Sequence, residues 1–473
     1  MEVEQPKYGR YRRRFLYLAV VVVMNVSNAM CWITYAPITF QTNAYYGYEN
    51  AATFFNVVFM ALSVPAGVVA VWGCDRFGLR GGVLIGGTFN LIGNIIRFGG
   101  SLSAVPLGWR FPISFTGQIF ASVAQPFIMF LTTKLTAFWF PQDQRVAANT
   151  IASMSNPLGI AAMYSLSPVI VNNEYPENFV LLTGITAALS VVAGILSLTV
   201  TSSEPPIPVS ASKANDKAPP PPFWQGVKRS LRSRNFVILA CCLGGGVGLF
   251  NALYNNLQPA LCAKGYSPTF CGLMGSWLIL AGLAGAAVAG VVADYTGKNE
   301  LIFKCSFLLA GFSAASLAVS VDFSDVEWWI ATSIGLFGFF GFAIYPLGLE
   351  TGVEVTYPVA EATSTGLIII AGQIEGVLFV IITSLANTAA LPEDLARQTC
   401  SQRTSEITNV VGWKYSFLVW AGFVSLLCLI AFVFFRPKLR RRAVDEGAAT
   451  GSPKLRSLSE TAALMRRTAE TEE

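Results

Sequence analysis

Trp32, Gln118, Phe250 and Gln373 lie inside long apolar stretches. If those stretches are helices crossing a bilayer, the four side chains reach similar depths. Trp32 is 17 residues beyond Phe15, about 25 Å along a helix. Gln118 lies a few residues into its stretch from one side, and Gln373 enters from the other. An indole face, a second aromatic ring and two uncharged amides suit a quaternary or primary ammonium held by cation–π attraction. The amides could orient a hydroxyl or an ester.

Glu375 stands two residues past Gln373, roughly 200° further round a helix. Both cannot point squarely into one cavity. We place Gln373 in the cavity and Glu375 at an interhelical interface. An ionisable residue near mid-membrane is a functional candidate by default, and Glu375 could couple transport to protons. Glu350 and Glu354 are four apart and share one helix face. They read as a gate pairing with bases such as Arg76, Arg80 or Arg145. Arg97, near the outer end of its helix, can snorkel to the interface.

Absences narrow the chemistry. The chain has no histidine, so it lacks the commonest general base and zinc ligand. No nucleophile motif, metal site or cofactor site is apparent, and an enzyme is not expected. A net charge of +5 is too small to point to nucleic acid. The nine cysteines contain no CxxC. Cys262 and Cys271 flank one outer loop and Cys400 falls in another, and the three could form an extracellular disulfide of undetermined pairing. Asn25-Val-Ser is the only evident glycosylation sequon, buried in the first helix.

The elements that position these residues follow from composition. Of 473 residues, 53% are hydrophobic and 12% charged, with a mean hydropathy of +0.54. A soluble domain carries about 25% charged residues. Stretches such as Phe15 to Tyr48 and Asn235 to Ala263 contain no Asp, Glu, Lys or Arg, and a spanning helix needs about 20 such residues. Twelve helices are expected near 15–40, 51–73, 79–101, 112–136, 146–171, 179–201, 236–260, 271–293, 301–321, 328–353, 363–387 and 413–435. With this topology only Arg97, Arg110, Lys264, Arg397, Arg403 and Lys414 fall on one face, leaving 26 of the 32 bases on the other. The positive-inside rule makes that second face cytoplasmic, termini included.

The chain divides into a basic N-tail (1–14), a six-helix bundle (15–201), a Pro-rich and basic linker (202–235), a second six-helix bundle (236–435) and a polybasic tail (436–473). The linker's end, from Phe223 to Arg234, reads as a basic interfacial helix. Linker and tail could attract anionic lipids.

A repeat relates the halves. Asp75-Arg76-Phe-Gly78-Leu-Arg80 and Asp294-Tyr-Thr-Gly297-Lys298 share an Asp, a Gly three residues on and a following base. Their offset is 219, and that of Pro141 and Pro358 is 217. The glycine permits a tight turn, and the Asp could pair with a base to latch one face shut. Duplicated units of this kind are common in transporters.

The repeated loop and the six-plus-six layout resemble the major facilitator superfamily, although that family's glycine four residues before the Asp is Val71 in the first copy. Three segments carry a closer likeness: Arg13-Arg-Phe…Ser27-Asn-Ala-Met-Cys-Trp32-Ile-Thr-Tyr35-Ala-Pro, Lys134-Leu-Thr-Ala-Phe-Trp-Phe-Pro141, and Pro346-Leu-Gly-Leu-Glu350-Thr-Gly-Val-Glu354-Val-Thr-Tyr-Pro358-Val-Ala-Glu361. They resemble the feline leukaemia virus subgroup C receptor family, solute carrier family 49. Asn149-Thr-Ile-Ala-Ser-Met-Ser-Asn156-Pro-Leu-Gly159 and Gly372-Gln-Ile-Glu-Gly376 are similar to its branch called major facilitator domain-containing protein 7.

The resemblance implies an all-α membrane fold of two pseudo-symmetric six-helix bundles. It also implies an aromatic pair from helices 1 and 7, with glutamines from helices 4 and 11, around choline or ethanolamine. Trp32, Gln118 and Gln373 match. The relatives' helix-7 tyrosine falls at about Asn251, with Phe250 adjacent and Tyr254 one turn away; Tyr35 joins the binding set and Glu361 the gate.

The expectation is therefore a monomeric, alternating-access transporter of a small organic cation in the plasma membrane rather than the lysosome. A haem or pyridoxine-like vitamin carrier and a non-transporting sensor or scaffold are the alternatives.

Overall fold

The computed structural model describes residues 11–140, 142–171, 177–207, 223–296, 298–356, 359, 361–397 and 411–436. Of the proposed gate and latch, Gly297 and the side chains of Asp75, Arg145, Asp294, Glu350 and Glu361 lie outside the described set, as does Cys400.

The first half comprises α1 (Arg13–Ile33), α2 (Thr39–Tyr46), α3 (Ala51–Gly100), α4 (Leu107–Trp139), α5 (Gln142–Ile170) and α6 (Phe179–Ser197). The second comprises α7 (Phe223–Arg232), α8 (Arg234–Ala263), α9 (Pro268–Thr296), α10 (Asn299–Ser320), α11 (Glu327–Thr356), α12 (Glu361–Leu385), α13 (Pro392–Arg397) and α14 (Lys414–Phe434). A two-stranded ribbon pairs β1 (Thr388–Ala389) with β2 (Val411–Gly412) antiparallel. Among the described residues, eleven helical spans are long and apolar enough to cross a membrane. Helix α5, packed on α1 and α9, completes a set of twelve. Its lower hydropathy comes from polar residues such as Asn149, Ser153 and Asn156.

One boundary differs from the expectation. The first span is not one helix to residue 40. It breaks after Ile33 into a 3-10 turn, Ala36–Ile38, and resumes as α2. Pro37 explains the break, because it lacks the N–H that an uninterrupted helix needs. The expected spans 51–73 and 79–101 are present as Ala51–Cys74 and Arg76–Gly100, two helices that follow one another across a kink at Gly78. Gly78 has φ +71° and ψ −171°, a conformation side chains disfavour. A Cβ there would also lie 2.5 Å from Ser203 Oγ.

Hydrocarbon does not drive apolar side chains together, so membrane helices associate through close backbone packing at small residues. That packing is evident between α9 and α11. A Cβ on Gly285 would run into the carbonyl oxygen of Phe339, and one on Gly338 into that of Leu278. Helices α8 and α12 meet the same way: Cβ atoms on Gly244 and Gly248 would lie 2.9 Å and 2.7 Å from the backbone nitrogens of Gly372 and Gly376.

Polar ties complete each half. In the first, Asn28 Nδ2 donates to Asn90 Oδ1 at 3.1 Å, and Asn90 Nδ2 to Ser27 Oγ at 3.0 Å. In the second, Lys264 pairs with Asp394 at 3.1 Å and Asp322 at 3.4 Å, while Lys414 pairs with Asp322 at 2.6 Å. These pairs clamp the ends of α8, α10 and α14 on the face opposite the described chain ends.

Arg97 does not snorkel. It is fully buried, with Nη1 donating to Cys31 Sγ at 2.6 Å and the guanidinium 4.8 Å from the Tyr35 ring centroid. The side chain points into the bundle because α1 presents the Cys31 thiol there and the turn after α1 presents the Tyr35 ring. Asn25 is likewise buried, donating to the Val21 carbonyl at 3.0 Å.

Gly285→Ala is expected to lower the thermal midpoint, at a cost of about 1–3 kcal/mol for overpacking. Gly290→Ala, whose Cβ would meet nothing within 4 Å, should not lower it. Thermal unfolding followed by size-exclusion chromatography compares the two.

Candidate substrate site

A cavity of about 150 Å³ lies between the halves, similar in size to an engineered apolar cavity that accepts benzene. Helix α1 contributes Trp32, α4 Gln125 and Met129, and α5 Asn156. The second half contributes Phe250, Asn251 and Tyr254 from α8, Phe337 and Tyr345 from α11, and Gln373 from α12. Among the described residues, none of those lining it is charged.

Aromatic packing sets the cavity's shape. Trp32 stacks on Phe59, with centroids 6.2 Å apart, and meets Tyr254 edge-on at 6.5 Å. Phe250 packs against Phe337 at 4.8 Å and Phe342 at 5.0 Å. Such pairs prefer offset or edge-to-face geometry, which leaves ring faces and edges turned to the space between them.

Four lining side chains carry buried polar atoms with no hydrogen-bond partner: Trp32 Nε1, Asn156 Nδ2, Asn251 Nδ2 and Gln373 Oε1. Buried polar groups are normally satisfied, and each exception asks for an explanation. Here three donors and one acceptor, on four helices from both halves, converge on one space. A small polar molecule could pair with them.

Of the sequence-derived candidates, Trp32, Phe250, Asn251, Tyr254 and Gln373 line this cavity. Tyr35 and Gln118 do not. The Tyr35 hydroxyl is 2.8 Å from that of Tyr46, and its ring packs on Phe55 at 4.6 Å. Gln118 Nε2 donates to the Phe55 carbonyl at 3.2 Å. Both belong to a packed layer beyond Trp32. The amide that α4 offers to the cavity is Gln125, whose Oε1 accepts from Ser63 Oγ at 2.7 Å. Gln125 is seven residues from Gln118, two turns along the same face, so the helix face was legible and the depth was not. Asn156 was missed as well. Its signal was a cluster of polar residues within an otherwise apolar stretch.

Closures flank the cavity on two sides. On the face opposite the chain ends, the Tyr164 hydroxyl donates to the Tyr254 carbonyl, joining α5 to α8. Ser276 Oγ donates to the Ala161 carbonyl at 2.8 Å, joining α9 to α5. Nearer the chain ends, α3 meets α12: Cβ atoms on Gly67 and Gly366 would each lie 3.0 Å from Ile370 and Val71, respectively. Of the gate residues, Arg76 lies over the Trp72 ring at 5.4 Å, Glu354 is half-buried, and Lys298 is exposed. Lys134 Nζ, which the sequence reading passed over, donates to the Cys74 carbonyl beside the Gly78 turn. Cys262 is disulfide-bonded, whereas Cys271, 4.0 Å away, is free.

The family model described as Major Facilitator Superfamily matches residues 15–380. Solute carrier family 49 member A3 of Xenopus tropicalis is 35% identical over 440 residues, covering 92% of this chain and 89% of the relative. The choline/ethanolamine transporter FLVCR2 of Homo sapiens is 28% identical over 383 residues, covering 78% and 71%. Among solved structures, a bacterial homologue of the human lysosomal transporter Spinster superposes with a TM-score of 0.66 at 14% identity, covering 91% of this chain and 99% of that one.

For a ligand identified by thermal stabilisation, Trp32→Ala should weaken apparent affinity by tenfold or more, about 1.4 kcal/mol. Gln118→Ala should leave affinity within twofold and lower the thermal midpoint instead. Ligand titrations of the two purified variants separate the roles.

Proposed function

The chain belongs to the major facilitator superfamily and, within it, to solute carrier family 49, and on that premise we propose that it carries a small organic cation of the choline or ethanolamine type by alternating access. As a member it is a multi-pass membrane transporter and not an enzyme. The observation that carries the substrate reading is the uncharged cavity in which Trp32, Phe250 and Tyr254 surround unpaired amide atoms of Asn251 and Gln373. An ammonium is attracted to ring faces without a carboxylate partner, and a hydroxyl at its other end could pair with the amides. The names of relatives such as the human choline/ethanolamine transporter support the same class.

In this reading the halves rock about the cavity. The Tyr164–Tyr254 tie breaks when the outer side opens, and the α3–α12 contact parts when the inner side opens. The face rich in Lys and Arg is cytoplasmic, and the membrane is the plasma membrane. Helix α7 lies on that cytoplasmic face with Trp224 and Leu231 exposed beside Lys228 and Arg232, a pattern that suits anionic headgroups. The protein acts as a monomer.

A pyridoxine-like vitamin is the second reading. Three unpaired donors and one acceptor exceed what a single hydroxyl satisfies. Haem is disfavoured, because the cavity is small for a macrocycle and the chain has no histidine to ligate iron.

Uptake of radiolabelled choline, ethanolamine and pyridoxine into cells expressing the protein tests the proposal. Saturable choline or ethanolamine uptake is expected, reduced to background in Trp32→Ala at equal surface abundance. Uptake of pyridoxine alone would transfer the assignment to the vitamin. No uptake of any of the three above the Trp32→Ala background would end the cation proposal.

A further inference from the structure

Glu375 occupies a site of its own, outside the cavity. It lies 12 residues into the 23-residue span Thr363–Leu385, hence near mid-bilayer. Its Oε2 is buried and has no hydrogen-bond partner. The carboxyl fits where it does because residue 245 of α8 is glycine: a Cβ there would lie 2.7 Å from Glu375 Oε2 and 2.6 Å from Leu427 of α14. That oxygen is therefore lodged in a three-helix seam of α8, α12 and α14, with the residue as a whole half-buried.

The surroundings offer no compensating charge. The titratable groups near it are thiols: Cys241 and Cys242 on α8 are within electrostatic reach of Glu375, and Cys428 of α14 lies beyond Cys242. Among the described residues, no Lys or Arg forms an ion pair with it. A carboxylate in an apolar medium without a cation is costly enough that it takes up a proton instead.

The seam is tied to the cavity. Glu375 is flanked in sequence by the two contacts that bring α8 and α12 together, Gly244 on Gly372 and Gly248 on Gly376. The Asn251 amide nitrogen lies 3.1 Å from where a Cβ on Gly376 would sit, and Gln373 is two residues away. A charge at 375 would draw water into the seam and part these backbones. Asn251 and Gln373 would move with them.

We propose that Glu375 is a proton-binding site, occupied while the α8–α12 seam is closed and emptied when the seam hydrates, so that substrate movement is linked to proton movement. The linkage rests on the transport reading above; the proton site itself does not.

Two measurements test this, and they can fail separately. Infrared spectra of the full-length protein in lipid should show a neutral-carboxyl band at neutral pH that Glu375→Gln abolishes and that alkali removes reversibly from the wild type. Gly245→Ala, which crowds the carboxyl, should shift that band. If Glu375→Gln leaves the neutral-carboxyl signal unchanged, the residue is ionised and the proposal is overturned, and the Gly245→Ala variant decides the same point should Glu375→Gln not fold. In proteoliposomes, choline uptake by the wild type should change several-fold between mildly acidic and mildly alkaline medium, with a flat profile in Glu375→Gln. Identical profiles in both proteins would overturn the linkage. If neither takes up choline, the substrate reading falls, while the infrared result still decides the proton site.

Discussion

A chain dissolved in hydrocarbon gains nothing from moving leucine off lipid and onto leucine, and the structure depends on that constraint. What holds its helices is close backbone contact, which needs residues without side chains. The Gly285–Phe339, Gly244–Gly372 and Gly248–Gly376 approaches meet that need. They also set the positions of everything polar. Phe250 and Asn251 can share a cavity with Gln373 because α8 touches α12 at Gly244 and Gly248, just ahead of them, and α12 touches back at Gly372 and Gly376, on either side of Gln373. The space for the Glu375 carboxyl arises from the same pattern, one glycine further round α8.

The two halves use their buried polar groups differently. In the first, polar side chains tie helices inside the bundle, through the Asn28–Asn90–Ser27 chain, the Gln118–Phe55 contact and the Arg97–Cys31 contact. In the second, ion pairs of Lys264, Lys414, Asp322 and Asp394 bind the ends of helices together. Each half is thus braced internally. Among the described residues few polar contacts cross between them, and the Tyr164–Tyr254 tie is prominent among those that do. That imbalance suits two rigid bodies moving about a central space. Four unpaired polar atoms line that space, where a passing molecule rather than the protein can satisfy them.

Much of this was legible in residue order. Apolar length announced the spans, and the distribution of Lys and Arg announced which loops share a face. The repeated Asp-x-x-Gly loop announced two halves. The glycine of its first copy does sit at a positive-φ bend. Helix 1 was misread beyond Ile33, where apolar length continued through Pro37 although helical hydrogen bonding could not. Arg97 was misread for a related reason. Its position near a helix end was visible, but whether it turned to lipid or inward depended on Cys31 and Tyr35, 62 or more residues away.

By itself, then, the sequence determined the class of solvent, the spans and their grouping into two bundles. These follow from composition and local order, because transfer to hydrocarbon is decided segment by segment. It also determined which helix faces carry amides and aromatics, because the α-helical period is fixed. Only the tertiary structure decided depth and partnership: Gln125 rather than Gln118 at the cavity, Tyr35 in the layer beyond it, Asn156 among its walls and Glu375 alone in its seam. Those outcomes turn on how closely two distant glycine-bearing stretches approach. A shift of one helical turn, which leaves every local pattern intact, would have chosen different residues.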